Sequence, residues 1–305
     1  MNQSSHPRRP ILALAAGLVM PGLGHVYGGD AVRGAWFLLA VALAVPAAAR
    51  LALHLPARWL CFTLFAGVAA AVVLYGWSAV EAFRRARRSP EGMLRPWQRP
   101  AVYVLYAVVA AEFVLGPLTA AVRDDVVEMF VVPSASMMPN VLPGDRIVAD
   151  KTVGHPGGPR LWRGALAIFV NPNDRALIFI KRVIALPGDH VEIDGAEVRV
   201  NGQALATSPS GEDAVGAATR LTRERGDHGT YDVLHPTAPS PGPPVKLVVP
   251  DGRVFVLGDN RVATVDSRTF GTIPLADVKG VARQVWFSTG RTEGVRWRRI
   301  GRLLD

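Results

Sequence analysis

Two long apolar runs place the first constraint on this chain. Residues 59–80 contain no charge, and residues 101–122 contain one, Glu112. A hydrocarbon core of ~30 Å is crossed by about 20 helical apolar residues, so both runs read as membrane spans. Residues 34–53 are a third, with Arg50 near one end, where its long stem reaches the interface. A small soluble core could not cover three such runs in close succession.

Charge gives the orientation. The chain has 305 residues and a formal net charge of +9. Residues 1–123 hold 12 arginines, no lysine and four acids (Asp30, Glu81, Glu91, Glu112); the other 22 bases and 21 acids nearly cancel. Positive charge confined to the loops of an apolar region reads as topology, which argues against nucleic acid as a partner. Arg84, Arg85, Arg87, Arg88, Arg95 and Arg99 make residues 84–99 the strongest cytoplasmic loop. The span at 101–122 then delivers residues 124–305 to the extracytoplasmic side. Tracing backwards, 59–80 runs inward, 34–53 runs outward, and the N-terminus with Arg8 and Arg9 is cytoplasmic. Residues 11–27 are apolar but interrupted by Pro21-Gly22-Leu23-Gly24. If they spanned, Arg8 and Arg9 would lie outside, so they are expected to be re-entrant or interfacial. Glu112 is read as a protonated structural acid hydrogen-bonded near the Gly116-Pro117 kink, in preference to an ion site.

The expected organisation is therefore an N-terminal segment at 1–33, a multi-pass transmembrane region at 34–123 and an extracytoplasmic domain at 124–305. That last part reads as β. Short alternating runs are separated by Asp194-Gly195 and Asn201-Gly202, both strong hairpin signals. Residues 177–186 form a nearly continuous apolar run. Residues 206–245, rich in Ser, Pro, Gly and charge, are expected to be a partly mobile excursion from the sheet. The fold class is mainly β, an antiparallel sheet or barrel-like catalytic domain preceded by an α-helical transmembrane region.

Familiar hydrolase patterns are missing: there is no G-x-S-x-G and no H-E-x-x-H. The single cysteine, Cys61, excludes a disulfide framework and a multi-cysteine zinc site. Three other stretches stand out. The first is Pro133-Ser134-Ala135-Ser136-Met137-Met138-Pro139-Asn140, close behind the last span. The second is Phe179-Ile180-Lys181-Arg182-Val183-Ile184. The third runs from Gly258-Asp259-Asn260-Arg261 through Thr264 to Asp266-Ser267-Arg268.

These stretches, in this order, resemble the bacterial type I signal peptidases (leader peptidases), serine proteases with a Ser/Lys dyad that remove signal peptides from exported pre-proteins. The resemblance covers most of 130–290. It implies Ser136 as nucleophile, Lys181 as general base, and Ser134 as side-chain oxyanion donor beside the Ser136 N–H. It implies Thr264 as the hydroxyl that hydrogen-bonds the lysine, and Asp266 with Arg268 as a supporting ion pair. Asn140 stands where threonine is usual, Val262-Ala263 replace Asp-Asn, and Thr264 replaces serine. Met137, Pro133 and Ile180, next to the dyad, are expected to contact substrate; for Met137, contact with substrate or lipid and a place in the core are equally open readings. No metal or organic cofactor is implied. The implied partners are signal peptides, the lipid bilayer and the export translocon, with the enzyme in the inner (cytoplasmic) membrane. The alternatives are a specialised Ser/Lys processing protease and an inactive membrane scaffold paralogue.

Elementary chemistry makes the implied dyad intelligible. A serine hydroxyl needs a base to take its proton during attack. Lysine serves only when neutral, and its ordinary pKa is ~10.4. Burial lowers that value. Period-two alternation puts Leu177, Phe179 and Val183 on the face of Lys181, and no acid lies within four residues of it. A lysine there tends to lose its proton.

Overall fold

The computed structural model describes residues 9–88, 98–153, 160–209, 219–237 and 244–304. Arg8, Arg95 and the residues 210–218 and 238–243 of the excursion lie outside them. The chain divides into two compact units, Met1–Val126 and Val127–Asp305.

The first unit is helical. Helix α1 (Pro10–Val19) stops at Met20, and Pro21-Gly22 turns the chain into the short α2 (Leu23–Tyr27). Asp30 caps α3 (Ala31–His54) by accepting the Arg33 N–H at 3.1 Å. Helix α4 (Leu60–Arg88) follows, then α5 (Pro100–Val109) and α6 (Gly116–Asp125). Between the last two, Ala110–Leu115 widens into a π turn. Pro117 has no N–H for the helical ladder, and the wider turn absorbs the mismatch. Glu112 sits in that turn with no side-chain hydrogen bond among the described residues, so the bond expected near the kink is not made. Three helical runs, Ala31–His54, Ala57–Arg88 and Pro100–Asp125, are long and apolar enough to cross a membrane. Small residues let them meet closely: a Cβ on Gly67 would lie 2.3 Å from the Ala48 Cβ.

The second unit is built from antiparallel strands. Its main sheet holds β1 (Val127–Val131), β2 (Asp145–Asp150), β3 (Leu166–Val170) and β4 (Ile178–Ala185). A four-stranded sheet holds β5 (His190–Asp194), β6 (Glu197–Val200), β7 (Gln203–Ala204) and β11 (Val245–Val248). A three-stranded sheet joins β8 (Ala206–Pro209), β9 (Thr219–Arg225) and β10 (Thr230–Pro236). The main sheet is completed by β12 (Arg253–Leu257) and, after the single-turn α7 (Ser267–Phe270), by β13 (Ile273–Pro274), β14 (Val278–Gly290) and β15 (Gly294–Val295). Its order is β1-β2-β14-β3-β4-β12-β13, with β15 on β14.

Alternation explains why strands rather than helices form. Ile168 of β3 packs with Val132, Met137, Val141, Ile147 and Val285 on one face, while its neighbours Ala167 and Phe169 pack with Val183, Val254 and Val256 on the other. Both faces of the central strands are thus covered, which makes the run at 177–186 read as continuous. The Asn201-Gly202 turn closes β6 onto β7 with φ of 53° and 77°, the type I′ geometry.

The described residues of the excursion form β8, β9 and β10, more regular structure than the composition suggests. Alternation in β9 was not visible as hydrophobicity because the residues it buries are Thr222 and Glu224.

Candidate active site

Strand β4 lies between β3 and β12, so Lys181 is not on a sheet edge where it could reach water. It is 4% exposed. Its Nζ lies 2.7 Å from Ser136 Oγ and 5.3 Å from the Phe179 ring centroid. Burial drives the pKa of the ammonium down to about 8; the carboxylates of Asp266 and Asp259 act in the opposite direction without reversing it. Roughly a tenth of Lys181 is then neutral at pH 7, against less than about a thousandth for an exposed lysine.

Ser136 is placed by the loop between β1 and β2. That loop is pinned at both ends: Val132 N–H donates to Asp145 O at 2.9 Å and Gly144 N–H to Val132 O at 2.8 Å. Asn260 clamps its middle, its N–H donating to Ser136 O (3.0 Å) and its Nδ2 to Ala135 O (3.2 Å). Gly258 permits this approach, because a Cβ there would stand 2.8 Å from Ser136 O and 2.3 Å from Thr264 Oγ1.

Ser134 Oγ is exposed and 3.2 Å from Ser136 Oγ. The Ser136 N–H has no acceptor among the described residues. Hydroxyl and amide together are donors available for a developing oxyanion. Asp266 and Arg268 form a two-bond pair, with Arg268 Nε to Asp266 Oδ1 and Nη2 to Oδ2 both at 2.9 Å. Asp266 also accepts the Gly258 N–H at 3.1 Å, tying the pair to the turn over Ser136.

Several expectations need correction. Met137 is fully buried among Val132, Val141 and Ile147, so it anchors the Ser136 loop in the core, the second of its two expected roles. Ile180 is half-buried against the same cluster, whereas Pro133 is exposed. Thr264 Oγ1 is buried with no hydrogen-bond partner among the described residues, so the bond to Lys181 implied for it is not made. Instead its side chain packs on the space left by Gly258.

A second set of residues braces the site through partnerships that the motifs do not spell out. Arg182, 2% exposed, donates from Nε and Nη2 to the two Asp259 oxygens at 2.7 and 2.6 Å and from Nη1 to Gly164 O. Its guanidinium carbon stands 3.9 Å from the Tyr231 ring centroid. Asn140 Nδ2 bridges Asp259 Oδ2 (2.7 Å) and Asp232 O (2.6 Å). Arg261 pairs with buried Glu224 at 2.6 Å; burial opposes the carboxylate, but Arg261 and His235 hold it down to about 2. The only local hint was the position of Asn140, Asp259 and Arg261 inside the unusual motifs.

With that geometry in place, similarity to known proteins becomes informative. Residues 102–287 match the family model described as signal peptidase, peptidase S26. Signal peptidase I of Aquifex aeolicus (strain VF5) is 31% identical over 202 residues, covering 55% of this chain and 78% of that protein. Signal peptidase I of Bacillus licheniformis is 30% identical over 187 residues, 60% and 89% of the two chains. Signal peptidase IB of Staphylococcus aureus (strain COL) is 34% identical over 166 residues, 53% and 78% respectively.

Proposed function

Because this chain belongs to the signal peptidase (peptidase S26) family, and so is a membrane serine endopeptidase acting on signal peptides, we propose that Ser136 is its nucleophile and Lys181 its general base. The observation that carries the assignment is a buried amine with a pKa near 8 at 2.7 Å from a serine oxygen.

Neutral Lys181 accepts the Ser136 proton as Oγ bonds to the scissile carbonyl carbon. The oxyanion takes hydrogen bonds from Ser134 Oγ–H and the Ser136 N–H. The Lys181 ammonium then protonates the departing amine as the C–N bond breaks, leaving an ester on Ser136. Water, deprotonated by Lys181, attacks that ester and releases the signal peptide with a new carboxylate. Ser136 lies 14 residues after Val122, where the last apolar run ends. A signal peptide held in the bilayer by its own apolar helix therefore presents its cleavage site to an enzyme anchored in the same membrane. The substrate segment is extended, with small residues first and third before the scissile bond, and adds as a strand. Pro133, exposed beside the dyad, and Ile180 are its proposed neighbours. Residues 84–99 face the cytoplasm, the catalytic unit faces the extracytoplasmic side, and the export translocon delivers the precursor.

Cleavage of a purified precursor in detergent micelles by the full chain tests this. Wild type is expected to yield the mature protein and Ser136→Ala none. Equal cleavage by both would end the assignment.

A further inference from the structure

We propose that the helical unit holds one anionic phosphoglyceride with a hydroxylated headgroup, its phosphodiester against Arg85 and Arg88 and an acyl chain along a groove on α3. This inference goes beyond the protease reading and rests on residues that have no part in it.

The start of α3 and the end of α4 bring five charged groups together. Arg85 Nε donates to Glu81 Oε1 at 2.7 Å, and its Nη1 lies 3.3 Å from Asp30 Oδ2. Arg33 Nη1 donates to the same Glu81 oxygen at 3.2 Å. Arg88 has no ion-pair partner among the described residues. Arg33, Arg85 and Arg88 against Asp30 and Glu81 leave one positive charge uncompensated. A cluster of this kind at the end of membrane-crossing helices meets the headgroup layer, where basic side chains attract anionic lipid. Guanidinium forks fit phosphate oxygens.

Beside these groups lies a cavity of about 310 Å³, lined by His25, Asp30, Arg85 and Arg88 with Gly24 and Gly28 at its wall. His25 is 2% exposed, stacks on Phe37 at 4.8 Å and bonds through Nε2 to Glu81. A carboxylate only accepts, so Nε2 carries a hydrogen toward Glu81 and Nδ1 is the ring atom left to face another group. That Nδ1 is buried with no partner among the described residues. A buried orphan polar atom is costly, and a headgroup hydroxyl, which both donates and accepts, would satisfy it. The cavity thus asks for a monoanion and a hydroxyl in one molecule.

The second half of the ligand is apolar. A groove of about 480 Å³ starts at Asp30 and Arg33 and runs past Trp36, Phe37, Ala40 and Leu74. It shares Asp30 with the polar cavity. A free phosphate or glycerol phosphate would use only the charged half, whereas a phosphoglyceride uses both.

The test is native mass spectrometry of the full chain after incubation in mixed micelles with equal phosphatidylglycerol and phosphatidylcholine. One phosphatidylglycerol is expected to be retained about tenfold over phosphatidylcholine. Arg88→Gln, which removes no protein ion pair among the described residues, should cut that preference about fivefold. Ala40→Trp, which fills the groove, should lower retention of both lipids. Millimolar glycerol phosphate should not displace the lipid. Equal retention of the two lipids by wild type, unchanged retention in both variants, or complete displacement by glycerol phosphate would overturn the proposal. Helical content by circular dichroism confirms that each variant has folded.

Discussion

Lys181 and Arg182 are neighbours on β4, point to opposite faces of the sheet, and are both buried, at 4% and 2% exposure. One has no carboxylate bound to it and is driven toward neutrality. The other is gripped by both oxygens of Asp259 and keeps its charge. Burial is nearly equal, so burial alone does not distinguish the proposed base from a strut. The difference is the presence of a bonded counter-ion, and with it the protonation state.

The comparison breaks most visibly at Lys181. Lys181→Met is expected to lower cleavage on the order of 10⁴-fold or more. It should also stabilise the fold at neutral pH. Below pH 8 both folded and unfolded chains carry the Lys181 proton, and burying the ammonium costs up to roughly 3 kcal/mol. Between pH 8 and 10.5 the unfolded chain still binds the proton while the folded one does not, so wild-type stability rises with pH. The advantage of methionine should therefore be greatest below pH 8 and fade toward 10.5. Wild-type kcat/KM should rise with pH through an apparent pKa near 8. Thermal unfolding and initial rates across pH check both halves.

Arg182→Met should do the reverse. It strands Asp259 in the interior and is expected to cost about 3–5 kcal/mol, read from urea unfolding of the full chain in micelles. If Met at 181 and Met at 182 shifted stability in the same direction, the distinction drawn between the two cations would be wrong. Ser134→Ala sharpens the division of labour around the nucleophile. Loss of one oxyanion donor should lower kcat about 10²–10³-fold, on the order of 3 kcal/mol, with KM little changed and activity above that of Ser136→Ala. The smallest effect is expected at Thr264→Val, which keeps shape and removes a hydroxyl that bonds nothing here. Its kcat should change less than about threefold, in keeping with a substitution that breaks no interaction. A hundredfold fall would show that Lys181 relies on that hydroxyl during turnover.

What could be read from sequence was whatever the chain writes locally. Long charge-free runs announce helices that suit a bilayer, and Asn201-Gly202 announces its own turn. The sequence motifs around Ser136 and Lys181 mark the residues that the fold brings within 2.7 Å. Partnerships across the fold are not written locally. Arg182 meets Asp259 across 77 positions, and Asn140 meets it across 119. Met137 could be read from its neighbours as a surface contact or as core, and only the turn of the loop, which carries it fully inward, decides between them. Strand β9 escaped because its buried face is Thr222 and Glu224, a polar alternation that hydropathy does not register.

The three-stranded sheet in the excursion carries a consequence for exchange between relatives. Leu234 N–H bonds Asp259 O, Arg261 N–H bonds Leu234 O, and Tyr231, Asp232 and Glu224 reach Arg182, Asn140 and Arg261. The stretch is wired into the turn that clamps Ser136. It cannot be swapped as a cassette: a transplanted version that lacks these four contact positions would have to bring compensating changes at 140, 182 and 261, so substitutions in the excursion and in the motifs around Ser136 are expected to go together.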